Sequence, residues 1–301
     1  MTTKPPTPPT FASALRAYRD IYMPSRNYAS KTRCSYADDL ADLSRFLRSR
    51  GHLGPGSVTL ADLEAYLAEL DCRVLAGSSR RRKTYACKSW FAFLLRAGQI
   101  EHDPSRQLVP PRAEHKEPRV LSRAEYAALL RACSHHPRDA AIIELLLQTG
   151  IRLSELCHLT VDDVHLPARI TQDAETVGRM HILAKGRKAR WIPLNHKVCR
   201  ALKTWIALRG NGGPALFHTK FGRPIGPRGV QRLVRKYMTE VGITRASVHT
   251  LRHTFATHHV AQGTSLRTVQ DVLGHASLKT TSVYVQLAQE AVRRELQEHA
   301  L

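Results

Sequence analysis

The sequence predicts a mainly α protein of two domains: an all-helical N-terminal domain, and a second helical domain of α+β character that carries a small antiparallel β-sheet. Three observations lead there. Apolar residues recur at helix-face spacing from Phe11 to about Gly98, and again beyond Pro118. Between these stretches residues 101–118 read EHDPSRQLVPPRAEHKEP, where Pro104, Pro110, Pro111 and Pro118 forbid a continuous helix and the density of charge disfavours burial. One stretch, RMHILAKGRKARWIPL at residues 179–194, alternates apolar and polar positions on both sides of a Gly-containing turn, which is the pattern of a β-hairpin. A chain of 301 residues with 43% hydrophobic content has material for two separate cores.

Taken in order, residues 1–10 (MTTKPPTPPT) are Pro/Thr-rich, lack the apolar centre of a signal peptide and read as a flexible tail. Residues 11–100 form the first domain. Its clearest helix places Ala86, Trp90, Phe93, Leu94 and Ala97 on one face, behind the cationic run Arg80, Arg81, Arg82 and Lys83. Such a run is either a solvated face or a set of phosphate contacts; the net charge of the chain favours the second. After the linker at residues 101–118, Ser122 and Glu125 form a capping-box signature that opens a new helix. Gly150 breaks the apolar helix before it, Arg152 starts the next, and Glu155 follows three residues later. The hairpin tip carries Lys185, Arg187, Lys188 and Arg190. Gly-rich loops near residues 211–214 and 222–229 separate further helices, and Gly274 ends an amphipathic helix bearing Leu266, Val269, Val272 and Leu273. The segment after Tyr284, VQLAQEAVRRELQEHAL, reads as a short amphipathic helix with Val292 and Leu296 as anchors, packed on its own domain or on a neighbour.

The 46 Lys and Arg against 25 Asp and Glu give a formal charge of +21, which calls for a large polyanion rather than a small metabolite. Nucleic acid is the first candidate. An anionic membrane is disfavoured because the basic residues are not gathered on one amphipathic helix. The longest apolar run, Ala140 to Leu147, is interrupted by Glu144 and is too short to span a bilayer. Six scattered cysteines form no C-x-x-C pair and read as free thiols in a reducing cytosol.

The densest chemistry lies in HTLRHTFATHHVAQGTSLRTVQDVLGHASLKTTSVY, residues 249–284. On a helix His249 and Arg252 project from one face, where they can hold two oxygens of a phosphate. His249 and His253 have the spacing of a metal pair, but the Glu a zinc hydrolase needs between them is missing and no third ligand follows, so no metal is expected. His253, His258 and His259 read as packing or capping residues. Arg152 is a surface charge or a phosphate clamp fixed by Glu155.

Together these motifs resemble the tyrosine recombinases, or phage integrases, in the branch of the Xer recombinases. The resemblance covers nearly the whole chain: SSRRRKTYACKSWFAFLLRAG, IEHDP and EPRVLSRAEYAALL, then GIRLSEL, AKGRKARWIPL, HTLRHTFATH and LGHASLKTTSVY in matching order. It implies a core-binding domain at residues 11–100, a catalytic domain at 119–285 and a tail for subunit contacts at 286–301, the two domains forming a C-shaped clamp on DNA. It implies a site-specific recombinase that works through a 3′-phosphotyrosyl intermediate and a Holliday junction, without metal, ATP or small-molecule cofactor. Arg152 and Arg252 then grip the scissile phosphate, Lys185 is the general acid, His249 and His275 complete the cluster, Tyr284 is the nucleophile and Glu155 is supporting. Arg80, Arg81, Arg82, Lys83, Lys88, Arg187, Lys188 and Arg190 are the expected DNA contacts. The partners are double-stranded recombination sites and three further protomers, identical or shared with a second recombinase, in a prokaryotic cytoplasm at the nucleoid. The task is integration or excision, or resolution of a mobile element, plasmid or chromosome dimer. A type IB topoisomerase-like relaxing enzyme and a catalytically silent DNA-binding relative are the alternatives.

Overall fold

The computed structural model describes residues 9–112, 117–172, 177–183, 189–210, 213–274, 284, 285 and 289. The chain divides into two compact units, residues 1–116 and 117–301. The first is helical: α1 (Phe11–Ala17) continues through a π-turn at Tyr18–Tyr22 into α2 (Met23–Ser25), followed by α3 (Ser30–Ser49), α4 (Leu60–Cys72) and α5 (Gly77–Arg96). Thr59 starts α4 with a capping box, its hydroxyl accepting from the Asp62 amide while Asp62 accepts from the Thr59 amide at 3.0 Å.

Helix α5 packs against α3 and α4, so its apolar stripe is broad. Ala86, Trp90 and Leu94 are fully buried as their spacing predicts, joined by Cys87 and Phe91 one position along; Phe93 is half-buried and Ala97 is an exposed C-cap. All six cysteines are free, with Cys87, Cys133 and Cys199 buried.

The stretch read as an exposed linker departs from that reading over its first half. Ser105 and Leu108 are buried against the first unit. Prolines remove amide donors but leave carbonyls to be satisfied, and an ammonium brings three donors. Lys88 uses them here: its Nζ donates to the carbonyls of Ser105, Arg106 and Leu108 at 2.8, 2.9 and 2.9 Å.

The second unit contains α6 (Arg123–Cys133), α7 (Pro137–Thr149), α8 (Leu153–His158), β1 (Val164–His165), β2 (Gly178–Ile182), β3 (Arg190–Leu194), α9 (His196–Leu208), α10 (Pro227–Glu240), α11 (Val248–Ala261) and α12 (Leu266–Leu273). The Ser122–Glu125 capping box forms as its sequence predicts, with the Ser122 amide donating to Glu125 at 2.9 Å. Helix α7 is covered by α6, α9 and α11, which is why its residues 141–147 are all buried. The hairpin is present as β2 and β3, paired antiparallel with Met180 opposite Ile192, and β1 adds a third strand against β2. Met180, Ile182, Ile192 and Leu194 face the core, while Arg179 and Trp191 lie on the outer face with the guanidinium 4.8 Å from the indole ring. The protein is therefore mainly α with a small antiparallel sheet. Among the described residues no helix is long and apolar enough to cross a membrane.

Candidate active site

Four segments distant in sequence meet at the carboxyl end of α12. Gly150, in the left-handed conformation at φ 59°, ends α7, and Arg152 is the N-cap of α8. Glu155 closes that cap by accepting from the Arg152 amide at 2.9 Å, and its other oxygen accepts from Arg152 Nη1 at 2.9 Å. Arg190, at the start of β3, meets the same carboxylate with both Nη atoms, at 3.0 and 2.9 Å. One carboxylate thus fixes two guanidinium planes.

The carbonyls that α12 leaves without helical partners take the remaining contacts. Arg190 Nε donates to Val272 at 3.0 Å, Arg252 Nη2 to Leu273 at 2.8 Å and Arg152 Nη2 to Gly274 at 2.6 Å. Arg252 also donates to the Gly150 carbonyl at 2.5 Å. Gly274 sits at φ 63°, where a Cβ would lie 3.1 Å from Arg190 and 3.3 Å from Arg152, so the helix end and the arginine cluster both require its bare backbone. A guanidinium has five N–H donors. Those not used on these carbonyls suit an oxyanion.

Tyr284 is 2% exposed and packs with Phe255, Ala256, Val269 and Leu273. Its hydroxyl lies 3.2 Å from His253 Nδ1 on α11. Burial raises the phenol above its ordinary value, against which the Arg252 charge works. Burial and then the Arg152 charge bring Arg252 down to about 10, so it remains a cation at neutral pH. Burial alone would raise Glu155, but the hydrogen bonds from Arg190 and from the Arg152 amide hold it below the ordinary carboxylate range. His253 is lowered by burial, then by His249 and Arg252.

The structure thus brings together Arg152, Glu155, Arg252 and Tyr284 of the residues chosen from sequence, with His249 exposed on the first turn of α11. Lys185, Arg187, Lys188 and His275 lie outside the described residues, as does the tail at residues 290–301. Three of the expected DNA contacts are corrected. Arg190 turns inward to Glu155 instead of standing at the hairpin tip, because a half-buried carboxylate beside Arg152 needs a second cation. Lys83 is 8% exposed and bonded to Asp42 at 2.9 Å, with Asp39 at 3.3 Å. Lys88 is held by the three carbonyls described above. Arg80 and Arg82 pair with Asp71 and Asp39, and Arg81 lies over the Tyr85 ring at 5.4 Å. His259 behaves as a packing residue, against Phe255 and Thr264. His253, also read as a packing or capping residue, packs its ring against Tyr284 and in addition meets the phenolic hydroxyl. Among the described residues no group of three or more His, Cys, Asp or Glu is placed to hold a metal.

Residues 119–291 match the phage integrase family, and residues 15–98 match the phage integrase N-terminal SAM-like domain. The tyrosine recombinase XerC of Pseudomonas putida is 32% identical over 280 residues, covering 91% of each chain. That of Pelobacter propionicus is 33% identical over 286 residues, covering 91% of this chain and 90% of its own. Among solved structures, XerH bound to palindromic difH substrate after cleavage shares the fold with a TM-score of 0.75 at 20% identity, over 94% of this chain and 84% of that one. The XerA recombinase is 25% identical with a TM-score of 0.52, over 96% and 99%. Fold, site and relatives define the class: a site-specific recombinase that cuts and rejoins DNA. The chain belongs to the phage integrase family, with the Xer tyrosine recombinases as relatives at about one-third identity.

Proposed function

We propose that Tyr284 attacks the scissile phosphate and becomes esterified to the 3′ end of the cut strand, while Arg152 and Arg252 bind its non-bridging oxygens. The observation that carries this reading is the convergence of both guanidiniums on the end of α12, with Tyr284 buried within reach of the Arg252 charge. Charge grows on the non-bridging oxygens as the pentavalent state forms, so donors already fixed by Glu155 and by backbone carbonyls stabilise it without reorganising. His249 and His275 add donors, and Lys185 protonates the departing 5′ oxygen. The phosphotyrosyl ester conserves the bond energy, so resealing by another strand's 5′ hydroxyl needs no ATP.

Solved recombinases of this fold include a lambda integrase tetramer bound to a Holliday junction. That supports an assembly in which four protomers synapse two DNA sites in a prokaryotic cytoplasm and exchange one strand pair at a time. Arg80, Arg81 and Arg82, together with Arg187 and Lys188, are the DNA contacts that this reading keeps.

The test is to trap covalent complexes in cells, sequence the attached DNA and rebuild that site as substrate. Tyr284→Phe binds it with unchanged Kd and yields no adduct on a denaturing gel. An adduct from this variant would overturn the nucleophile assignment.

A further inference from the structure

We propose that His253 accepts the proton of the Tyr284 hydroxyl during cleavage and returns it during resealing, a proposal that rests on Tyr284 being the nucleophile. The phenolic oxygen and His253 Nδ1 are 3.2 Å apart, and the two rings are 5.8 Å between centroids. Tyr284 is almost sealed from solvent, so bulk water is a poor acceptor for its proton. His253 follows Arg252 directly on α11, and one rigid helix therefore sets both the phosphate clamp and the acceptor.

Burial lowers the imidazole and raises the phenol, so the proton moves only as the phenolic oxygen bonds to phosphorus. After burial, His249 and Arg252 on α11 are the charges that lower the imidazole, and the tautomer with its proton on Nε2 presents Nδ1 to the phenol. Arg152, Glu155 and Arg190 surround Arg252 and set its charge environment, one residue along α11 from the imidazole. The phenol is harder to ionise than in water, so an adjacent base lowers the barrier more than it would for an exposed tyrosine. In the step the Tyr284 O–H bond breaks and an N–H bond forms on Nδ1. The phenolic oxygen bonds to phosphorus as the bond to the 5′ oxygen breaks, and the 5′ oxygen leaves with a proton from the general acid. Resealing runs the same changes backwards, and no further reagent is consumed.

The experiment measures adduct formation against pH on the recovered single-site substrate for the parent, His253→Ala, His253→Gln and His249→Ala. The parent rises through an inflection below the ordinary imidazole value of about 6.5, and His249→Ala, which loses a phosphate donor, is slower but keeps the inflection, moved upward. His253→Ala binds DNA normally, cleaves about 100-fold more slowly, loses that inflection and is partly restored by added imidazole. His253→Gln, which keeps a hydrogen bond but accepts no proton, stays slow. Retention of the inflection in His253→Ala, or near-parental cleavage by His253→Gln, overturns the proposal while leaving Tyr284 as nucleophile. An adduct from Tyr284→Phe would instead remove the premise.

Discussion

Glu155 accepts hydrogen bonds from the Arg152 amide, from Arg152 Nη1 and from both Nη atoms of Arg190. Because those bonds hold its folded pKa below the unfolded value, its stabilisation is complete above about pH 4.3 and is lost as pH falls through the folded value. Glu155→Gln should therefore flatten the acid side of a urea midpoint against pH curve. It should also cost about 3 kcal/mol near neutrality, since two cations are left against an amide; an unchanged midpoint at pH 7 would reject the buried-network reading. Arg252→Lys keeps the charge but loses the planar fork that spans the Gly150 and Leu273 carbonyls, and should slow cleavage by about 100-fold with DNA affinity little changed. Lys185→Ala should also be slow, yet recover on a substrate with a 5′-bridging sulfur, whose departure needs little protonation. Absence of recovery would remove Lys185 from the general-acid role.

At the level of elements, helix ends do much of the positioning. Gly150 cannot accept a side chain: its φ is positive, and a Cβ would fall 2.5 Å from Phe255 Cδ1 and 2.8 Å from Leu273 Cδ2. Gly150→Ala should lower stability by about 2 kcal/mol and slow cleavage as well, because the same carbonyl anchors Arg252. Helix α5 separates two uses of one basic run. Arg82 is exposed and Lys83 buried, though they are neighbours. Arg82→Ala should reduce the slope of log affinity against log salt by about 1 and lower the melting temperature less than Lys83→Ala, because Asp39 keeps Lys83. Lys83→Ala should lower the melting temperature by several degrees, because Asp39 and Asp42 lose the buried cation they share. The reverse pattern, a loss of salt slope in Lys83→Ala alone, would restore Lys83 as a phosphate contact.

For the whole molecule, the excess of 46 basic over 25 acidic residues makes nonspecific attraction to DNA unavoidable, so sequence specificity must come from contacts to base edges and from DNA shape. Two helical units, the hairpin, the Ser122 capping box and the glycine breaks were legible in the sequence, because periodicity and capping act over a few residues. Arg152, Arg252 and Tyr284 were legible as members of ordered motifs. The short strand β1 was not, since two residues carry no period. Nor were the partners of the cations: Lys83 reaches an acid 41 positions away, Arg190 one 35 away, and His253 a phenol 31 away. The sequence by itself therefore determined the helices, the hairpin, the basic character and the residue types that the chemistry requires. The tertiary structure alone decided which of those cations face solvent, which are consumed by buried carboxylates and carbonyls, and which imidazole meets the tyrosine. Ion pairs and hydrogen bonds depend on distance in space over a few ångströms, and the chain's local pattern does not encode that distance.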